Sequence, residues 1–301
     1  MNSSIMNSSI MNSINIDYMD GIDIIYWINL KKSSDRRISM EKMFEDECFQ
    51  NTNIERVNAV NGNEINVFDF INTNRKQKSN AEYGCLLSHL KTIHTFSESS
   101  YKYALIMEDD LTLDYQKYWK KTLKTIINNA PFDWEVIQLC YITTTGIIPE
   151  KEYELNNNRF VSAAAYIINK SAAKKLMNLV YDNVTHKYNI EGNRNHHADV
   201  YIFSKLKTYV YKFPYFIYKK NNYSTLHPKD VVEHSFSRDV ITDMYNSYYP
   251  EGFITQKEYT NLNFYIILFI VLCILCLIYY FFNQKLYSYM KILNRRNLYP
   301  R

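Results

Sequence analysis

Three adjacent carboxylates, Glu108-Asp109-Asp110, follow directly on the apolar run Tyr103-Ala104-Leu105-Ile106-Met107. Neighbouring acids repel one another, and a cation relieves that repulsion. A short apolar run after a polar helical segment reads as a buried strand. The carboxyl end of such a strand is where open α/β sheets hold their ligands. Side chains alternate along an extended chain, so Glu108 and Asp110 are expected to share a face while Asp109 points away. Two hard oxygen donors on one side suit Mg²⁺ or Mn²⁺ together with a substrate's phosphates. The competing reading is a solvated acidic turn, Asp109-Asp110, closing the strand.

Other residue types add to this chemistry. Arg36 and Arg37 follow the strand-like run Asp23 to Leu30, and their planar donor forks suit phosphate or uracil. They also read as a solvated helix start, with Asp35 as its cap. His89 lies one helical turn beyond Cys85, with Gly84 and Ser88 on the same segment. A lone helical histidine is usually a packing residue, and a glycine there permits close approach of backbone or ligand. Asp199 follows His196 and His197. A carboxylate so placed can take a proton from an acceptor hydroxyl, or can cap a helix from Val200 to Lys207. His196, His197, His227 and His234 are each candidate late ligands for Mn²⁺, and none stands out.

The elements that must position these groups follow from pattern. The polar segment Ser33 to Arg37 opens a helix through Met43 and Phe44, and Ile54 to Val60 is a weaker strand. Residues 61–80 are polar and loop-like, with the basic cluster Arg75, Lys76 and Lys78. Ala81 to Ser99 is a helix with apolar residues at 86, 87, 90, 93 and 96. A helix is expected around Tyr118 to Asn128, and strands at Trp134 to Leu139 and Phe160 to Ile168. Ser171 is the expected cap of a helix over Ala172 to Val180. Strands alternating with helices imply an α/β fold with a mostly parallel, wound sheet. Beyond Val210 the chain is aromatic and irregular, and no element stands out.

Composition narrows the function classes. The net charge is +4 and basic residues are interspersed with acids up to the last stretch, which argues against nucleic acid. The abundance of Ile, Asn, Lys and Tyr reads as AT-rich coding bias in a host or virus. Three cysteines, 48, 85 and 140, lie outside the apolar segment that holds Cys273 and Cys276. That odd number, with no CxxC among them, fits neither a disulfide framework nor a zinc site and favours a reducing compartment. No GxxxxGK[ST] loop is present, against a phosphoryl-transfer enzyme.

The ends differ from the middle. Residues 1–20 are a low-complexity extension that repeats Met-Asn-Ser-Ser-Ile, with no basic start or apolar core to serve as a secretory signal. Residues 21–255 read as the catalytic domain. Residues 264–282 carry no charge, and at about 1.5 Å per residue they span roughly the 30 Å core of a bilayer. Tyr265, Tyr279 and Tyr280 suit its interfaces. The basic tail, 283–301, favours a cytosolic tail and a lumenal domain. The free thiols and the lack of a leader favour the opposite, a cytosolic domain on a single-pass anchor, and that orientation is the one expected.

With these pieces in order, the chain resembles glycosyltransferase family 25, which includes lipooligosaccharide and procollagen galactosyltransferases and members in giant DNA viruses. Ile28-Asn29-Leu30 with Asp35-Arg36-Arg37 is similar to its opening strand and Arg-bearing turn. Ala81 to Leu90 is similar to its Gly-Cys-x-x-Ser-His helix, and Ala104 to Asp110 to its Leu-Ile-x-Glu-Asp-Asp strand end. Ala163 to Ile168 with Ala172 to Leu176 is similar to its Ala-Tyr-x-Ile strand and following helix.

The resemblance implies a GT-A-type, Rossmann-like domain that uses a UDP-sugar, UDP-galactose or UDP-glucose, with Mn²⁺ or Mg²⁺. It implies Glu108 and Asp110 on the metal, Asp109 toward ribose or sugar hydroxyls, and Arg36, Arg37, Gly84, Ser88 and His89 at the nucleotide. Asp199 is then the candidate base. The acceptor is a lipid-linked glycan, a collagen-like hydroxylysine or another polymer. The second reading is a catalytically silent relative serving as a membrane or virion interaction module. One departure is that the family's Gly before Ala-Ala-Tyr is here Ser162 or Ala163, and no alignment holds beyond about residue 200.

Overall fold

All six residues of the first strand, β1 (Ile24–Asn29), are buried, as a strand covered on both faces requires. The computed structural model describes residues 16–73, 79–190, 197–219 and 231–249, with 268–270, 279–281 and 283 beyond them. After β1 come α1 (Ser34–Met43), β2 (Asn53–Asn58), β3 (Ile71–Asn72), α2 (Asn80–Glu98), β4 (Tyr103–Glu108) and β5 (Leu111–Thr112). Then follow α3 (Leu123–Asn129), β6 (Val136–Gln138), β7 (Tyr153–Leu155), β8 (Ala165–Asn169), α4 (Lys170–Val180), β9 (Tyr181–Asp182) and β10 (Lys187–Asn189). The chain continues through α5 (Ala198–Lys205), β11 (Thr208–Tyr211), β12 (Ile217–Tyr218) and α6 (Val231–Tyr248). Residues Ile14–Pro250 form one compact unit.

The central sheet has the order β2-β1-β4-β8-β6-β11-β7. β1 is parallel to β2 and β4, and β11 is parallel to β6. β8 runs antiparallel to both β4 and β6, and β7 antiparallel to β11. The sheet is therefore mostly parallel, with β7 and β8 reversed. The reversal of β8 matters for the site, because it brings the start of β8 beside the carboxyl end of β4. Met107 pairs with Ala165, and the Glu108 N–H donates to the Ala164 carbonyl at 2.8 Å.

Alternation sorts the strands onto two cores. Tyr26, Ile28, Ala104 and Ile106 face one cluster with α2 and α4, while Ile25, Trp27, Leu105 and Met107 face the other with α3. On α2 the stripe Leu86, Leu87, Leu90, Ile93 and Phe96 is fully buried. Each such side chain contributes roughly 1.5–3 kcal/mol of burial, which holds α2 firmly against β4 and β1. A capping box starts α2: Ser79 Oγ accepts from the Glu82 N–H, and Glu82 Oε2 accepts from the Ser79 N–H at 3.1 Å.

Several expectations are corrected. Asn169, not Ser171, caps α4, since Asn169 Oδ1 accepts from the Ala172 N–H at 2.8 Å. Ser33, not Asp35, is the N-cap position of α1. Tyr118 ends a short 3-10 turn, and α3 begins later, capped by Thr122. The strand expected from Phe160 begins only at Ala165, because Ser162 departs from extended geometry. The 61–80 stretch contains β3, which pairs with β10, and the irregular region beyond Val210 contains β12 and α6.

Among the described residues no helix is long and apolar enough to cross a membrane. Most of 264–282 lies outside the described residues, as do the repeats at 1–15, the basic cluster Arg75, Lys76 and Lys78, and the tail after 283.

Candidate active site

β4 stops at Glu108, and Asp109-Asp110 form a turn, so the alternation expected for the three acids breaks there. Glu108 turns toward α2, where its Oε1 lies 3.1 Å from His89 Nε2. His89 is only 1% exposed, and its Nδ1 lies 3.1 Å from the Tyr166 hydroxyl. An ionised carboxylate only accepts, so the His89 nitrogen facing an ionised Glu108 carries the proton, and in a neutral imidazole Nδ1 then accepts from Tyr166.

Asp109 and Asp110 instead converge on one guanidinium. Arg36 Nη1 lies 2.7 Å from Asp109 Oδ1 and 3.2 Å from Asp110 Oδ2. The buried Asn29 at the end of β1 donates to Asp109 Oδ2 at 2.7 Å, and its own Oδ1 accepts from Arg56 at 2.9 Å. The parallel register Ile28 to Glu108 sets Asn29 beside Asp109. Asn29 figures in the sequence only as part of the Ile28-Asn29-Leu30 stretch, with no role of its own, and Arg56 does not stand out. Their signal lies only in strand register, which a single chain does not display. Arg37 is half-buried, and among the described residues it makes no ion pair with the acids.

Charge is unevenly satisfied in this turn. Asp110 Oδ1 is buried and accepts no hydrogen bond. Burial first, then Glu108 and Asp109, push the Asp110 carboxyl up to about 7, against the opposing pull of Arg36. Burial works to lower the Arg36 guanidinium, but Asp110 and Asp109 outweigh it and hold Arg36 above its ordinary value. A buried carboxylate oxygen without a donor is a hard ligand of the kind a small divalent cation takes, and it is the one observation in the turn that fits such an ion. Glu108 and Asp110 are the residues that would hold it, because both Asp109 oxygens are engaged, by Asn29 and Arg36, whereas Asp110 Oδ1 is not.

The segment leading into β8 closes the other side. Ser162 has φ +108°, a conformation that favours glycine. Of Ser162 and Ala163, the two residues that stand where the resemblance calls for Gly, it is Ser162 whose backbone adopts a glycine-like conformation. Four hydrogen bonds hold it: its N–H donates to Asp199 Oδ2 at 2.7 Å, and its carbonyl accepts from Gln138 Nε2 at 2.8 Å. Its Oγ accepts from the Ala164 N–H at 3.0 Å and pairs with the Tyr218 hydroxyl at 2.7 Å. Asp199 Oδ1 also accepts from the Val200 N–H, but α5 begins at Ala198 with His197 at its cap, so Asp199 is not the helix cap.

Tyr218 belongs to β12, which pairs with β5 directly after the acidic turn, and the Lys219 N–H donates to the Asp110 carbonyl at 2.8 Å. Arg238 on α6 ties Asp114 to the Tyr218 carbonyl. Burial foremost, then Glu108, Cys140 and Asp110, push the Tyr218 phenol well above its usual range. Of the late histidines, His234 stacks on Tyr218 with ring centroids 4.4 Å apart, and His197 Nε2 stands 3.9 Å from Glu82. His196 and His227 lie outside the described residues.

Gly84 and Ser88 build a wall. Ser88 Oγ donates to the Gly84 carbonyl at 2.7 Å and accepts from the Val60 N–H at 2.8 Å. A Cβ on Gly84 would stand 2.6 Å from the Gly62 nitrogen and the Val60 carbonyl. The close approach that Gly84 permits is thus that of the Val60–Gly62 backbone, which flanks a cleft of about 340 Å³. Arg36, Cys85, His89, Glu108 and Asp109 line the same cleft. Burial, then the charges of Glu108, Asp199, Asp110 and Asp109, push the Cys85 thiol well up.

The family model described as Glycosyltransferase family 25 (LPS biosynthesis protein) matches residues 22–191. Procollagen galactosyltransferase 2 of Homo sapiens is 28% identical over 177 residues, covering 52% of this chain and 28% of the human protein. The Glycosyltransferase 25 family member of Drosophila pseudoobscura pseudoobscura is 29% identical over 122 residues, covering 36% of this chain and 18% of the fly protein. The chain thus spans less than a third of the length of these relatives. A solved glycosyltransferase involved in the glycosylation of the major capsid of PBCV-1 is similar over 51% of this chain and 62% of that one, at 10% identity and a TM-score of 0.30. Arg36, His89, the acidic turn and Ser162 fall inside the family match, whereas Asp199 and Tyr218 fall after it.

Proposed function

This chain belongs to glycosyltransferase family 25, and from that premise we propose that it moves a hexose from a UDP-sugar to a hydroxyl acceptor. Galactose is the favoured sugar and glucose the next, and the acceptor is a glycan or a protein. The observation that carries this reading is the buried acidic turn, whose Asp110 Oδ1 has no donor and whose neighbours Glu108 and Asp109 open on the cleft. When bound by Glu108 and Asp110, Mn²⁺ or Mg²⁺ supplies the charge that neutralises a leaving diphosphate. Arg36, held by both aspartates, adds a fixed cation at the cleft wall. The cleft, at about 340 Å³, is of the size that takes a small ligand, and the Val60–Gly62 segment lines one side of it.

Asp199 serves as the base for the acceptor hydroxyl. Its two oxygens each accept one backbone N–H, which orients the carboxylate and leaves lone pairs for the incoming proton. Asp109 orients Arg36 and Asn29, and through them the turn.

The domain rides on the apolar segment 264–282 as a single-pass anchor and faces the cytosol. Protease protection of the domain in sealed microsomes would refute that orientation.

The enzymatic reading is tested by incubating the folded protein with a panel of UDP-sugars and Mn²⁺. Transfer or hydrolysis of UDP-galactose or UDP-glucose is expected, lost in Asp110→Ala. Silence across all donors and metals would point to the interaction module instead. Undiminished turnover in Asp110→Ala would remove the metal role.

A further inference from the structure

Cys85 and His89 stand four residues apart on α2, so their side chains leave the same face of the helix one turn apart. Both reach the end of β4. Cys85 Sγ, a His89 ring nitrogen and a Glu108 carboxylate oxygen lie within 4.8 Å of one another. The His89 Nε2 to Glu108 Oε1 distance is already 3.1 Å. Around a tetrahedral Zn²⁺, with bonds of about 2.0–2.3 Å, ligand atoms stand roughly 3.3–3.7 Å apart. A small rotation of the Cys85 side chain closes the triangle.

The surroundings fit such a site. His89 Nδ1 faces the Tyr166 hydroxyl at 3.1 Å, the kind of outer partner that orients a metal-bound imidazole. His89 and Tyr166 are buried, while Cys85 and Glu108 keep partial exposure and line the cleft. The three ligands thus have a dry floor and an open mouth, with a fourth position left for water or a donor oxygen. A thiolate, an imidazole and one carboxylate make a softer set than the all-oxygen turn next to it. Softer sets select zinc over magnesium or manganese.

The geometry points to a second metal site, Cys85–His89–Glu108, for Zn²⁺ or another thiophilic divalent cation, sharing Glu108 with the proposed donor-metal site. On binding, the Cys85 thiol gives its proton to solvent, and the neutral His89 carries its proton on Nδ1, donated to Tyr166. Because both ions draw on the single negative charge of Glu108, zinc held here competes with Mn²⁺ at the acidic turn. That competition rests on the transferase reading, whereas zinc binding itself does not.

Cobalt reports on the site without turnover. The full chain, metal-free and reduced, is titrated with Co²⁺ alone, and the sulfur-to-cobalt charge-transfer band and the intensity of the visible bands are followed. Wild type and Cys273→Ser/Cys276→Ser are expected to give the same band, with tetrahedral intensity, displaced by equimolar Zn²⁺. Cys85→Ser is expected to lose it while keeping its circular dichroism. Glu108→Gln, which keeps the thiol, is expected to retain a band but to need at least tenfold more cobalt. A wild-type protein without the band, or a band unchanged in Cys85→Ser, would overturn the site. Turnover with Mn²⁺ in the absence of zinc tests the transferase reading separately, so the two can fail independently.

Discussion

The Asn29 side-chain amide donates to Asp109 Oδ2 at 2.7 Å across eighty positions of sequence, and Asp109 in turn holds Arg36 at 2.7 Å. The last residue of one strand thus fixes the turn that ends its parallel neighbour. That pairing commits Asp109 to positioning and leaves Asp110 as the acid with an unsatisfied oxygen.

Asn29→Ala removes one of the two partners of a buried carboxylate. Leaving such a group without its donor costs about 1–3 kcal/mol. Urea unfolding is expected to lose that amount of stability at unchanged m-value. A variant as stable as wild type would show that the Asn29–Asp109 bond is incidental.

The Asp110 carboxyl sits at about 7 in the folded chain against an ordinary value of 3.8. Between those values the folded state binds more protons than the unfolded one, so the unfolding free energy of the metal-free protein falls as pH rises. The favourable contribution is complete below about pH 4 and lost as pH passes through about 7. Comparing wild type with Asp110→Asn between pH 5 and pH 8 isolates it: the variant's slope is expected to be flatter. Parallel slopes would exclude Asp110 as the titrating group. Mn²⁺ is expected to raise the melting temperature of wild type more at pH 8 than at pH 5, and that of Asp110→Asn little at either.

Ser162 is held at φ +108° by its own hydrogen bonds, a conformation that costs a non-glycine residue about 1–3 kcal/mol. Ser162→Ala keeps that cost and loses the Oγ bonds to Tyr218 and Ala164, so a destabilisation of about 1–3 kcal/mol is expected. Ser162→Gly loses the same bonds but relieves the backbone, and is expected to stay within about 1 kcal/mol of wild type. Thermal unfolding of the pair decides it. Equal losses in both would mean the backbone is not strained.

Gly84→Ala drives a methyl into the Val60–Gly62 backbone, which cannot swing aside as a flexible side chain can. Overpacking of this kind costs about 1–3 kcal/mol. It also displaces one wall of the cleft, so UDP affinity measured by calorimetry is expected to fall along with stability. Wild-type UDP binding would separate that loop from the nucleotide site.

Much of the scaffold was legible in the chain. The continuous apolar runs of β1 and β4 and the stripe Leu86, Leu87, Leu90, Ile93 and Phe96 announce their elements, because burial on fixed faces imposes a period on the residues themselves. The same reasoning placed the acids at a strand end and Cys85 and His89 on one helical face. It failed where geometry comes from pairing. The two-residue strands β5 and β12 are too short to carry a period, and each exists because the other lies alongside it. The directions of Glu108, Asp109 and Asp110 were settled by what each met: His89 on α2 for the first, Asn29 and Arg36 for the second, and Arg36 for the third. Sequence alone determined which residues reach the end of β4; the packing of α1 and α2 against it decided which charges they face there, since those partners come from parts of the chain that only folding brings together.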